Sequence, residues 1–146
     1  MNDKISCKEF KHGRIFTGRL PHGVDLVQSI EDFCKDASIN MATFSLIGAL
    51  SSITIGSYDQ KQQVYVSFSK NAHLEIVSCT GNVSIKDGSP MVHAHIVLAD
   101  IDGKIFGGHL FSESIIFAGE IKIQELSGEQ LERKYDTTTG LMLWNI

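Results

Sequence analysis

The sequence lacks the cysteine pattern of a disulfide-bonded or redox protein. Cys7, Cys34 and Cys79 are odd in number, far apart, and include no Cys-x-x-Cys. This argues against a disulfide framework and points to a reducing cytoplasm, with each thiol packing rather than reacting. Positive charge is not in surplus either. Lys and Arg number 13 against 17 Asp and Glu, for a formal net charge of −4. Phosphate binding is led by clustered Lys and Arg, so a strong nucleic-acid footprint is not expected. The one basic gathering, Lys8, Lys11, His12, Arg14 and Arg19, reads as a solvated surface. Long apolar runs are missing, and the opening Met-Asn-Asp-Lys-Ile-Ser is polar. Neither a membrane span nor an export signal is indicated. There is no Gly-x-Ser-x-Gly, no phosphate loop and no dinucleotide fingerprint. Repeats, linkers and low-complexity segments are also absent.

What is present is enough apolar material for a real core. The chain has 146 residues, 42% hydrophobic and 21% charged. That suits one soluble globular domain over residues 1–146. Residues 1–13 read as a lead-in and Arg14 to Leu20 as a first strand. From Val24 to Ala37 the apolar residues fall at 26, 27, 30, 33, 34 and 37, a helical stripe with Asp25 in its first turn. His22, just ahead, reads as a loop histidine, a ligand or an anion contact. Met41 to Ile47 and Ser52 to Tyr58 read as strands separated by a break at Gly48–Ser51. Val64 to Phe68 and His73 to Ile85 read as two more, the second interrupted at Gly81–Asn82, with a turn at Ser69–Asn71. A strong turn follows at Lys86–Pro90. Ile115 to Leu126 alternates as a strand, Ser127 reads as the cap of a helical turn over Gly128–Tyr135, and Leu141–Trp144 as a docked apolar piece. The expected fold is α+β: a mostly antiparallel β-sheet with one main helix and short flanking helices.

The chemistry concentrates between Met91 and Phe111. His93 and His95 are two apart, so on a strand both side chains leave one face. If Ile101-Asp102-Gly103 is a three-residue loop with Gly103 left-handed, Asp100 pairs with Lys104 and His95 faces His109. A two-residue loop would turn His109 to the other face. The longer loop is the reading adopted here. Three converging imidazoles suit a borderline divalent metal, Zn²⁺ ahead of nickel, iron or copper, and leave a fourth position for water, a small molecule or a neighbouring subunit. The competing reading is three polar residues on a solvent face. Gly107 and Gly108 allow close backbone approach beside a metal or another chain, or mark a bulge. Glu75, between Leu74 and Ile76, reads as half of a structural ion pair or as a carboxylate supporting a ligand histidine. Glu75, Asp100 and Glu113 are also candidate general bases, none of them placed by spacing.

The combination of Gly23-Val-Asp-Leu-Val-Gln-Ser-Ile, Glu75-Ile-Val-Ser-Cys-Thr-Gly-Asn82, His93-Ala-His95 and Gly103-Lys-Ile-Phe-Gly-Gly-His-Leu110 resembles the plants-and-prokaryotes conserved (PPC) domain family over about residues 14–126. The resemblance implies an antiparallel sheet flanked by a few helices, assembly as a homotrimer, and His93, His95 and His109 as metal ligands. In plant members the stretch matching Ala72–Val77 is a Gly-Arg-Phe-Glu-Ile-Leu-type partner motif. Here only Glu75 and Ile76 are kept, so the resemblance does not carry that recruitment over. The AT-hook core, Arg-Gly-Arg-Pro, is absent, and Gly18-Arg-Leu-Pro21 does not replace it. Function is thus expected to be metal binding, with zinc and a small-molecule ligand, in a trimer of unstated activity. The alternative is a DNA-binding or transcription-associated regulator acting through partners. A metal-dependent hydrolase or lyase is the third course.

Overall fold

The computed structural model describes residues 4–146. The first three residues of the expected lead-in lie outside it. In chain order the elements are β1 (Lys11–Arg19), α1 (Leu26–Asp36), β2 (Ala42–Asp59), β3 (Val64–Lys86), β4 (Ser89–Ala99), β5 (Ile105–Leu110), β6 (Ile115–Ser127), β7 (Arg133–Asp136) and β8 (Leu141–Trp144). The fold is the expected antiparallel sheet with one main helix. Six strands run in the order β1-β6-β2-β3-β4-β5, and β7 and β8 pair separately. The far end of β2 also pairs with β5, Ile55 opposite Leu110 and Gly56 opposite His109. Strands β2 to β5 therefore close on themselves.

The core is one cluster. Alternate residues of β2 to β4 point into it, including Leu50, Ile53, Ile55, Leu74, Ile96 and Leu98, all at most 2% exposed. Helix α1 adds Leu26, Val27, Ile30 and Cys34 from its apolar stripe. Each such side chain stabilises the fold by about 1.5–3 kcal/mol through burial. Asp25 stands one position ahead of α1 as its N-cap, its Oδ1 accepting from Gln28 N–H at 2.8 Å. Its Oδ2 accepts from Glu113 N–H and Ser114 N–H at 2.5 and 3.1 Å. One carboxylate thus ties the helix to the β5–β6 connection. Burial holds the thiols of Cys34 and Cys79 up at about 11 and about 12, so both pack rather than react.

Three local expectations are corrected. The break at 48–51 is absent: β2 runs through it, bending at register shifts beside Ile47 and Ser51. The turn at 69–71 is absent too, because Ser69, Lys70 and Asn71 pair with Thr54, Ile53 and Ser52. Polar, turn-favouring residues there are carried by the long pairing of β3 with β2. The helical turn over 128–135 is replaced by strand β7, which pairs with β8 and docks its start on β3, Ile85 N–H donating to Leu131 O at 3.1 Å. Among the described residues α1 is the one helix. No helix of theirs is long and apolar enough to cross a membrane.

Candidate metal centre

The β4–β5 hairpin takes the three-residue loop. Asp100 N–H donates to Lys104 O at 3.0 Å, and Gly103 has φ +77°. Asp100 Oδ1 accepts from Asp102 N–H and Lys104 N–H at 3.0 and 2.9 Å, so this carboxylate is spent on the turn. The register follows: Ala99 opposite Ile105, Val97 opposite Gly107, His95 opposite His109. Ala94, Ile96 and Leu98 are buried. Period-two alternation then sends His93 and His95 to the other face, where His109 joins them.

The three imidazoles form a compact triangle. Ring centroids are 5.3 Å apart for His93–His95, 5.2 Å for His93–His109 and 5.6 Å for His95–His109. One nitrogen from each ring lies within 4.8 Å of the others. In a tetrahedral zinc site with bonds of about 2.0–2.1 Å the nitrogens stand about 3.4 Å apart. Modest rotation about the broad His χ2 torsion closes that difference. His109 Nδ1 is buried and has no hydrogen-bond partner among the described residues. A buried polar nitrogen left unpaired costs about 1–3 kcal/mol, and a metal ion among the rings is one remedy. Burial pushes the His109 imidazole down to about 4, helped by His93, His95 and Arg133. His93 is lowered as well, by burial first and then by Arg133 and His95. Both rings are therefore neutral at pH 7, with lone pairs available to a cation.

The surroundings came from parts of the chain that spacing did not connect. The Tyr65 ring lies 4.8 Å from His109, and the Phe111 ring 4.6 Å. Arg133, on β7, is only 8% exposed. Its Nη2 donates to Asn82 Oδ1 at 2.7 Å, and Asn82 is the residue opposite His93. Its Nη1 donates to Met142 O at 3.1 Å. Trp144 Nε1 donates to Ser84 Oγ at 3.0 Å, fastening β8 to the same edge. His93, His109, Tyr65, Arg133 and Trp144 line one cleft of about 970 Å³. No local signal marks Arg133 or Tyr65 in the sequence. Both are placed by tertiary pairing.

The other candidates lie apart. Glu75 is exposed, opposite Ala49 and Ala99, two side-chain rows along β3 from the His95 row. Its side chain makes no hydrogen bond or ion pair among the described residues. Glu113 is exposed on the β5–β6 connection at φ +68°. His22 Nδ1 donates to Phe117 O at 2.7 Å, a structural contact away from the triad. Gly107 and Gly108 lie against backbone: a Cβ there would come within 2.3 Å of Ile96 O and 2.6 Å of Gly56 O respectively. They let β5 fit between β4 and β2.

The model of the Plants and Prokaryotes Conserved (PCC) domain matches residues 7–127. The chain belongs to this family. Among solved structures it is similar to a metal-containing protein from Archaeoglobus fulgidus, with 46% identity and a TM-score of 0.92 over 96% of this chain and 99% of that one. It is also similar to a plant- and prokaryote-conserved protein from Pyrococcus horikoshii, with 39% identity and a TM-score of 0.91 over 97% and 98%. A candidate DNA-binding protein from Ralstonia eutropha JMP134 matches at 27% identity and a TM-score of 0.78, over 89% and 90%. Among curated proteins, the bifunctional protein GlmU of Synechococcus sp. (strain JA-3-3Ab) is 30% identical over 131 residues, 88% of this chain. The chain spans only 20% of that relative's length.

Proposed function

We propose that this PCC-domain protein is a zinc-binding homotrimer that takes a small molecule at the open position of its three-histidine centre. The observation that carries the reading is the triangle of His93, His95 and His109 on one face, with His109 Nδ1 buried and unpartnered. His93, His95 and His109 would hold the ion as neutral imidazoles. Bound there, a zinc ion supplies a Lewis acid and lowers the pKa of a coordinated water. The metal-containing relative from Archaeoglobus fulgidus supports the cofactor class. The trimer is supported by apolar residues exposed on the histidine face. Val77, Val97 and Ile105 are 51%, 39% and 62% exposed, continuing the row from His95 toward Glu75. Such a patch marks an association surface. Free thiols at Cys7, Cys34 and Cys79 suit a reducing compartment such as the cytoplasm.

Metal analysis of protein purified without a histidine tag tests the centre. The expected result is one zinc per chain, lost in His95→Ala and kept in His73→Ala. Metal-free protein that takes up no zinc on reconstitution refutes it. Light scattering tests the trimer, and a monomeric mass refutes it. A second reading, a DNA-associated regulator, draws on the Ralstonia eutropha neighbour. The net charge of −4 predicts weak, salt-sensitive binding to A·T-rich DNA, and tight binding at physiological salt would favour this second reading.

A further inference from the structure

Arg133 is a cation in an unusual place. Its side chain is more than nine-tenths buried, and no carboxylate among the described residues pairs with it. Buried charges are normally paired, because desolvation is otherwise uncompensated. Of the five N–H bonds of a guanidinium, one reaches Asn82 Oδ1 and one Met142 O. Nε–H is buried with no acceptor. The Trp144 ring lies 5.5 Å from the guanidinium carbon. The one side-chain carboxylate lining the cleft is Glu31. Its Oε1 already accepts from Val92 N–H at 2.9 Å, and burial shifts it toward the neutral acid. The cleft therefore offers a fixed positive charge and unused donors beside His93 and His109. A divalent ion on the histidines would add two more positive charges, with Glu31 the one side-chain carboxylate in the cleft to set against them.

We propose that Arg133 is the anion-binding residue of this cleft, holding the carboxylate of a small organic acid whose adjacent hydroxyl or keto oxygen faces the histidine centre. The proposal rests on the zinc reading for the second contact only. Guanidinium and carboxylate match as a planar, charge-assisted pair. Phe111, Leu141, Met142 and Trp144 give the same cleft an apolar wall. That wall suits an organic acid with a short hydrocarbon part better than inorganic phosphate. Tyr65, whose ring lies beside His109, lines the same cleft.

The test is calorimetric titration of zinc-loaded, full-length protein with lactate, 1,2-propanediol and inorganic phosphate at one ionic strength. Zinc content and circular dichroism are measured on every variant. Lactate is expected to bind at least about tenfold tighter than the diol, in which a hydroxymethyl group replaces the carboxylate, because a hydrogen bond to a charged group is worth about that factor. Arg133→Met is expected to lose that advantage while keeping its zinc. Should Arg133→Met be misfolded, Arg133→Lys, which keeps the charge but not the fork, is expected to show a smaller loss. Lactate binding no tighter than the diol overturns the proposal. So do phosphate binding tighter than lactate and lactate binding untouched in a folded Arg133 variant. Metal-free protein titrated alongside separates the two readings. No zinc uptake with Arg133-dependent lactate binding overturns the metal centre alone. Zinc uptake with Arg133-independent binding overturns the anion site alone.

Discussion

Gly107→Ala tests whether backbone contact sets the histidine geometry. A Cβ at 107 would lie 2.3 Å from Ile96 O, while ordinary contact begins near 3.4 Å, so β5 must retreat from β4 by about 1.1 Å, the difference between the two. Overpacking of this kind costs about 1–3 kcal/mol. For a chain of this size that is a fall in melting temperature of about 3–12 °C. The same displacement carries His109, two residues on, away from His93 and His95. Zinc affinity should therefore fall as well as stability. Gly18→Ala is the control, since nothing lies within 4 Å of its Cβ position. The assays are thermal unfolding of metal-free protein at fixed concentration and competition for zinc with a chromogenic chelator. A Gly107→Ala protein within about 0.5 kcal/mol of the parent, the scatter of neutral surface changes, and with unchanged zinc affinity would refute the reasoning. Loss of stability with full zinc affinity would show that the triad tolerates a shifted strand.

Three further outcomes are expected. Asp25→Ala should cost about 2–3 kcal/mol in urea unfolding, more than a lone N-cap, because the carboxylate also holds the Glu113 and Ser114 amides; a cost under about 1 kcal/mol would reduce it to an ordinary cap. Metal-free protein should lose stability as pH falls from about 6.5, the unfolded histidine value, toward about 4, where folded His109 titrates, because the unfolded chain binds more protons in that window. Equal urea midpoints at pH 5 and pH 7.5 would contradict that sign. Arg14, which donates to Glu125 at 2.7 and 2.8 Å, holds that carboxyl down at about 2. In Arg14→Ala a carbon-13 titration should find Glu125 raised toward the usual carboxylate range but still below it, because the residue-14 N–H, 3.0 Å from Oε2, still donates; an unmoved value would assign the shift elsewhere.

What could be read ahead of the structure was what is encoded over short distances. The helix showed in its apolar stripe and the strands in their alternation. The hairpin register followed from Gly103 and from the requirement that three histidines share a face. What misled were residues whose local preference lost to pairing partners. Ser69, Lys70 and Asn71 look like a turn and lie in a ladder with Ser52–Thr54. Arg133 and Lys134 look like part of a solvated helical turn and form a strand against Trp144 and Leu143. Arg133 was invisible as a site residue for the same reason. A lone arginine among charges carries no mark of burial until β7 and β8 fold against Asn82 and Ser84.

The closure of β2 to β5 has a consequence for the order of assembly. The three histidines of the candidate metal centre lie on one hairpin whose pairing is nearly local, whereas sealing β5 against β2 joins residues 53 or more positions apart, as in Gly56 opposite His109. Local contacts cost little loop entropy and form early, and distant ones are slow. On the zinc reading proposed above, the hairpin would be available to an ion before the sheet has closed. The ion would then act as a nucleus that lines up β5 for its distant partner. The wall carrying Arg133 arrives only when β7 docks. The ion's seat can exist in a half-folded chain, while a place for an organic anion requires the finished one.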